Sequence, residues 1–347
     1  MPSWPDYDAS GTMTKPGEMN ELAKAVASGD RRALARAITL IESTRAADQT
    51  KAEQVLMALL PRSGGSFRIG ISGAPGAGKS TFIEAFGKFL TGQGHKVAVL
   101  AIDPSSRRSG GSILGDKTRM EQLSRDPNAF IRPSPAGTTL GGVARRTRET
   151  MLLVEAAGFD VVIVETVGVG QSETAVADMT DLFVLLQSPG GGDDLQGIKR
   201  GVMELADILV VTKADGDLIP AANRAAADYR MALHLMRPKH EGMPAKVLTV
   251  SSLEGKGISE SWEAMKVFRD GLAKDGRIQR IRADQSRRWF WSEVQTILNE
   301  ELLAHHGLRE EVKKLENSVI AGQSLPYAAA RTLFRRILKV DASDARH

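Results

Sequence analysis

Eight residues, "GAPGAGKS" from Gly73 to Ser80, fit the pattern G-x-x-x-x-G-K-[ST]. They follow the apolar run "FRIGIS" and precede a helical stretch beginning near Lys79. That spacing suits polyphosphate chemistry. Gly73, Gly76 and Gly78, with Ala74, Pro75 and Ala77 between them, let backbone N–H groups turn toward phosphate oxygens, and a helix starting at Lys79 adds its positive end. Lys79 is the expected partner of the β- and γ-phosphates. Ser80 is the expected hydroxyl ligand of Mg²⁺, and Thr81 completes the first helical turn. The alternative is a glycine-rich turn with no ligand.

Three acids are candidates to join Ser80 around the metal. Asp103 ends "KVAVLAID", Asp116 lies in "GDKTRM", and Glu165 ends "DVVIVE". Magnesium keeps an oxygen shell and binds few carboxylates directly, so acids at strand ends beside a phosphate loop are the types it requires. Each could instead be a helix cap or a solvated loop acid. Lys79, Asp103 and Glu165 are the residues expected to carry hydrolysis.

The base is read from "VVTKAD", which ends a strand with Thr212, Lys213 and Asp215. A carboxylate accepts both the N1–H and the N2 amine of guanine, whereas adenine offers neither donor. Two charge-assisted bonds of roughly 1.5–3 kcal/mol each give a preference of about 100-fold or more. Lys213 would lay its stem along the base. Ser251, Ser252 and Leu253, in "VSSLEG" after the last strand, are placed to close over it. An Asp capping a helix after a strand is the other reading.

These groups need a frame. "FRIGIS", "KVAVLAID", "AFIRPS", "DVVIVE", "DLFVLLQ", "DILVVT" and "AKVLTV" are continuously apolar, as strands covered on both faces should be, and helical segments separate them. The expected fold is α/β, a doubly wound, mostly parallel sheet. Before it, Leu34, Ile38 and Ile41 share one helical face, and Val55, Leu56, Leu59 and Leu60 another. After it, Trp291, Val294, Leu298 and Leu302 line a stripe, and "PYAAARTLFRRILK" reads as a final amphipathic helix. A helical arm cannot bury such a stripe alone. The expected organisation is a flexible tail at 1–16, a helical region at 17–62, a nucleotide domain at 63–272, and a helical dimerisation arm at 273–347.

Composition narrows the classes. The 347 residues are 42% hydrophobic and 25% charged, with a formal charge of +4. No block of Lys and Arg interleaved with aromatics appears, so no nucleic-acid partner is expected. No apolar run approaches the roughly 20 residues of a membrane helix, so no membrane association is expected. Cysteine is absent, which excludes disulfides and thiolate metal sites. The N-terminal "MPSWPDYDASGTMTKPGE" lacks an apolar stretch. A cytoplasmic protein is the expectation.

With these motifs assembled, the chain resembles the MeaB/ArgK family of P-loop GTPases. The resemblance runs through "GAPGAGKST", "IDPSS", "SGGSILGDKTRM", "RPSPAGTTLGG", "ETVGVGQSE", "GGDDLQGIKRG" and "TKADGDL", and into "WFWSEV". It implies binding of GTP or GDP with Mg²⁺, a homodimer, and a chaperone role toward methylmalonyl-CoA mutase, gating its adenosylcobalamin loading and protecting it from inactivation. It also implies that Glu165 stands where Ras-like proteins carry Asp.

The segment "SPGGGDDLQGIKRG", Ser188 to Gly201, lacks the G-K-[ST] ending of a phosphate loop. Its glycines open backbone conformations closed to other residues. Asp193, Gln196 and Lys199 offer exchangeable contacts, and a plain surface connection is the alternative. The resemblance implies a third switch carrying nucleotide state to the mutase. No glutamine follows the "ETVG" turn directly, Gln171 lying further on, and Arg107, Arg108 and Arg119 are the candidates for positive charge at the transferring phosphoryl group. Slow intrinsic hydrolysis, raised by a partner, is expected. Three other readings stand beside this one. They are a nickel metallochaperone-type GTPase, for which no Cys or His cluster exists, a transport-system kinase, and a structural dimer with static nucleotide.

Overall fold

The structure is a computed structural model that describes residues 20–102, 120–133, 140–166, 172–189, 200–304 and 306–344. Three helices come first: α1 (Glu21–Ala27), α2 (Arg31–Glu42) and α3 (Ala46–Leu59). Asp30 starts α2 by accepting from the N–H groups of Arg32 at 2.7 Å and Ala33 at 2.9 Å, two of the donors a helix start leaves unpaired. Its carboxyl is held below the usual range, chiefly by those two bonds. Leu34, Ile38 and Ile41 are buried on one face, as their spacing predicts, and so are Val55 and Leu59 of α3. Leu60 departs from the expected stripe: it is 49% exposed. Pro61 explains the departure, since α3 ends at Leu59 and gives way to a 3₁₀ turn at Leu60–Arg62.

All seven continuously apolar runs are strands. They are β1 (Phe67–Gly73), β2 (Val97–Ile102), β3 (Ala129–Arg132), β4 (Val161–Thr166), β5 (Leu182–Gln187), β6 (Ile208–Val211) and β7 (Lys246–Thr249). They form one parallel sheet in the order β3-β2-β4-β1-β5-β6-β7. Parallel neighbours need crossovers, and the described helices between strands supply them. These are α4 (Lys79–Gly92), α5 (Glu121–Ser124), α6 (Leu140–Ala156), α7 (Ser172–Ala177), α8 (Arg200–Met203) and α9 (Ile219–His234), and α10 (Ile258–Lys274) follows β7.

Both faces of the sheet are covered, which is why the strands do not alternate in polarity. Ile69, Ile71, Val99, Ile163 and Val184 pack with Phe82 and Phe86 of α4 and Trp262 and Met265 of α10. Ala98, Leu100, Val162, Val164 and Phe183 pack on the other face with Leu34, Ile38 and Val55 from α2 and α3 and with Leu153 of α6. Each fully buried side chain of this size contributes roughly 1.5–3 kcal/mol. The N-terminal helices are therefore part of the same core as the sheet.

At the N-terminal ends of β1 and β5, charges are buried in pairs. Glu155 of α6 accepts from Arg68 Nε at 2.8 Å and Nη2 at 2.9 Å, from Ser66 Oγ at 2.6 Å and from the Gly64 N–H at 2.7 Å. Burial pushes its carboxyl up, but the guanidinium and the two other donors outweigh burial and hold it below the usual range. Asp181 accepts from Arg282 through Nε and Nη2, each at 2.7 Å, and Arg282 Nη2 also reaches the Ser66 carbonyl at 2.7 Å.

The chain divides into two compact units, residues 1–282 and 283–347. Helix α11 (Arg277–Ala304) spans the boundary, and α12 (His306–Ile320) and α13 (Pro326–Asp344) complete the second unit. There α12 and α13 pack together, Ala329 is buried, and Arg336 pairs with Glu311 at 3.2 Å. Trp291 and Leu298 are 59% and 56% exposed. Ile320, Tyr327 and Phe334 are exposed as well. No described helix is long and apolar enough to cross a membrane.

Candidate functional site

Strand register gathers the candidate residues at one edge, the C-terminal ends of the strands, where open α/β sheets bind ligands. Gly73 pairs with Leu186, Ile71 with Glu165, and Gln187 with Val211. Gly73 ends β1 against β5 so closely that a Cβ there would meet the Leu186 carbonyl oxygen at 2.4 Å. Only glycine allows the strand to turn into the loop at that point.

The loop Ala74–Gly78 leads directly into α4. Gly76 and Gly78 hold φ of 80° and 82°, the left-handed region that disfavours a side chain. Gly78 is also the N-cap residue, so no side chain caps α4 and its first N–H groups remain for an anion. The inward carbonyls are occupied by the protein itself. Lys79 Nζ donates to Gly73 O at 2.7 Å and Ala74 O at 3.2 Å. Ala77 N donates to Ala74 O at 3.1 Å, and the Thr212 hydroxyl lies 2.7 Å from Ala77 O. With its acceptors engaged inside, the loop is built to offer donors outward, the complement of a polyphosphate. Ala77 is buried beneath it, Ala74 and Ser80 are half-buried, and Pro75 and Thr81 are exposed.

The base-recognition candidates follow β6. Thr212 is buried, and Lys213 is exposed with a φ of 55°, the one positive φ outside glycine among the described residues. Such a conformation persists only where its surroundings hold it. Here the Ala214 N–H donates to the Val250 carbonyl at 3.1 Å, pinning the turn to the residue after β7. Asp215 is half-buried, and its Oδ2 accepts from Ser251 Oγ at 2.5 Å. Ser251 in turn accepts from the Glu254 N–H at 3.1 Å. Ser251 thus braces the Asp215 carboxylate. Ser252 is half-buried, and Leu253 is 81% exposed beside them.

Glu165 is buried near the end of β4, between β1 and β2 in the sheet. Next to it, Ser72 Oγ and Thr166 Oγ1 lie 2.9 Å apart, tying the ends of β1 and β4.

The family model described as "Methylmalonyl Co-A mutase-associated GTPase MeaB" matches residues 34–306. The chain belongs to the MeaB family. It is 48% identical over 327 residues to "Methylmalonic aciduria type A homolog, mitochondrial" of Mus musculus, covering 91% of this chain and 79% of that one. With "GTPase ArgK" of Escherichia coli it shares 47% over 325 residues, 94% of this chain and 97% of the other. The crystal structure of an "LAO/AO transport system kinase" superposes with a TM-score of 0.74 at 40% identity, covering 93% of this chain and all of that one. A MeaB-family GTPase binds guanine nucleotide, and the phosphate loop and the turn at Lys213 stand at the sheet edge suited to it.

Of the acids considered for the MeaB-family site, Glu165 lies at this edge, whereas Asp103 and Asp116 lie outside the described residues. So do Asp193, Gln196 and Lys199, and Arg107, Arg108, Arg119 and Gln171. Two contacts had no signal in the sequence. The Ser72–Thr166 pair joins residues 94 apart, and Thr212 reaches Ala77 across 135 positions. Among the described residues no three of His, Cys, Asp and Glu gather as a metal-binding group.

Proposed function

We propose that this MeaB-family GTPase is a nucleotide-dependent chaperone of methylmalonyl-CoA mutase, an adenosylcobalamin enzyme, gating cofactor loading and protecting the mutase from inactivation. The observation that supports this most is the match over residues 34–306 to a family described by its association with that mutase. GTP binds with its phosphates on the Gly73–Ser80 loop and its base against Asp215. Guanine donates N1–H and N2–H to the Asp215 carboxylate, which the Ser251 hydroxyl holds in place.

Mg²⁺ suits the donors present. The Ser80 hydroxyl in the first turn of α4 and the Glu165 carboxylate on the strand next to β1 are oxygen donors of the kind a hard cation takes. Asp103 and Asp116 are the further acids proposed for it. When bound, the ion supplies positive charge against the developing negative charge of phosphoryl transfer. The protein's own part is positional: the loop N–H groups fix the phosphates, and Lys79 neutralises the transferring group. Hydrolysis by these groups alone is slow, and the bound mutase raises it.

Asp193, Gln196 and Lys199 contribute little to nucleotide affinity and couple the bound mutase to hydrolysis, a coupling free energy between two sites. The second unit makes the homodimer, since α11 holds Trp291 and Leu298 largely exposed. The decisive experiment measures GTP hydrolysis with and without the mutase, in the unmodified protein and in Ala variants at 193, 196 and 199. Stimulation in the first and its loss in the variants support the proposal; no stimulation by the mutase refutes it. The kinase reading draws only on the name borne by the similar transport-system protein, and transfer of γ-labelled phosphate from GTP to a protein acceptor would favour it instead.

A further inference from the structure

Helix α4 opens with Lys79 and Ser80 and then turns to a different task. Glu84, Gly87, Lys88 and Thr91 recur at the spacing of one helical face, and each meets the segment 120–128. Glu84 Oε1 accepts from the Gln122 N–H at 2.8 Å and from the Leu123 N–H at 3.2 Å. These are the donors that an N-cap side chain normally takes, and Met120, at the N-cap of α5, supplies no such bond. Glu84 therefore caps α5 from another helix. Gly87 makes the notch that brings α5 this close: a Cβ there would lie 2.5 Å from Leu123 Cδ2, and Leu123 is fully buried. Further on, Lys88 Nζ at 2.7 Å and Thr91 Oγ1 at 2.8 Å both donate to Asp126 Oδ2. Arg31 of α2 holds the same stretch, donating to the carbonyls of Pro127 at 3.0 Å and Ala129 at 2.6 Å.

We infer that Glu84 is a positioning residue for the acid Asp116, because it holds the chain at Met120 in fixed register with Ser80. Ser80 and Glu84 stand on one helix, four residues or about 6 Å apart. Asp116, proposed above for Mg²⁺, precedes Met120 by four residues, which span at most about 14 Å. So short a tether passes any slip of α5 along α4 on to Asp116. The rest of the strip does not substitute for Glu84. Lys88 and Thr91 grip Asp126, beyond α5 in sequence, whereas Glu84 grips the end of α5 that follows Asp116. The second carboxylate oxygen, Oε2, is buried and has no partner among the described residues. An amide NH₂ in its place breaks no bond among those residues, and a glutamine oxygen still serves both N–H groups. The cap can thus be kept while the charge is removed.

The inference rests on the reading of Asp116 as a metal acid, and the test separates the two. Affinity for Mg²⁺ is measured by calorimetric titration into the full-length protein holding a non-hydrolysable GTP analogue, and affinity for that analogue is measured without Mg²⁺. The variants are Asp116→Ala, Glu84→Ala, Glu84→Gln and Thr91→Val. Glu84→Ala is expected to weaken Mg²⁺ about tenfold, the low end of what loss of a supporting contact costs a metal site, and to leave the analogue within about twofold. Glu84→Gln is expected to restore Mg²⁺ to within about threefold of the unmodified protein. Thr91→Val, which loosens the same strip beyond α5, is expected to leave Mg²⁺ within about twofold. Mg²⁺ affinity unchanged in Glu84→Ala, or lowered as far in Thr91→Val or Glu84→Gln as in Glu84→Ala, overturns the inference. So does a parallel loss of Mg²⁺ and analogue in Glu84→Ala, the mark of a merely structural defect. If Glu84→Ala does not fold, Glu84→Asp decides, since its carboxylate is kept but falls one methylene short of the two N–H groups. Weakened Mg²⁺ with analogue affinity kept then supports the inference, and any other result overturns it. If Asp116→Ala binds Mg²⁺ as the unmodified protein does, the reading of Asp116 itself falls, and the inference with it.

Discussion

Asp215→Asn tests the choice of base most directly. Asp215 presents a carboxylate whose Oδ2 accepts the Ser251 hydroxyl at 2.5 Å, so the protein itself sets its posture. Guanine needs two acceptors, one for N1–H and one for the N2 amine. An asparagine side chain offers one oxygen and turns the other position into a donor facing a donor. One charge-assisted bond is lost outright, at roughly 1.5–3 kcal/mol, which is a loss of about 10- to 150-fold in GTP affinity. Xanthine carries a carbonyl where guanine carries the N2 amine, so the same substitution should improve xanthosine nucleotides as it harms guanine ones. The assay is competition of GDP, XDP and ADP against a fluorescent GDP analogue, at fixed Mg²⁺. In the unmodified protein GDP should outcompete ADP by about 100-fold or more. Equal competition by ADP, or an Asn variant within about threefold of the original for GDP, would refute the assignment of "TKAD".

Other perturbations reach the remaining parts of the argument. Lys79→Ala should remove most hydrolysis, because the cation beside the transferring phosphoryl group is gone, and an unchanged steady-state rate would sink the phosphate-loop assignment. Glu165→Ala should chiefly raise the Mg²⁺ concentration needed for half-maximal hydrolysis, and a magnesium dependence identical to that of the unmodified protein would remove Glu165 from the metal site. Truncation after Arg282 keeps the fork onto Asp181 and deletes the exposed stripe, so light scattering should report a monomer or an aggregate; an intact dimer contradicts the arm's role. The Glu155 carboxyl lies below its ordinary 4.5 when folded, because Arg68, Ser66 and the Gly64 N–H outweigh burial. A lowered folded value contributes stability above the unfolded one, lost as pH falls through the folded value. The urea midpoint should therefore drop as pH falls below about 4.5, and Glu155→Gln, about 3 kcal/mol less stable at pH 7, should flatten that part of the profile.

What was legible in the sequence and what was not follows from the range of the interactions involved. Seven strands could be read because a buried parallel strand announces itself within its own six or so residues, without reference to its partners. The phosphate loop was legible for the same reason: its glycines, lysine and helix start are contiguous. Leu60 was misread because apolar periodicity spoke for a longer helix while Pro61, one position on, ended it. The bracing contacts escaped for a different reason. Arg282 finds Asp181 across 101 positions, and Glu155 finds Arg68 across 87, and neither residue type announces a partner that the fold alone brings near. Thr212 belongs to both kinds. Its place in "VVTKAD" follows from local sequence, but its contact with Ala77 depends on β5 lying between β1 and β6. A parallel sheet converts local signals into a shared site, because every strand delivers its C-terminal end to the same edge. The residues that make the edge rigid are read only after the strand order is known.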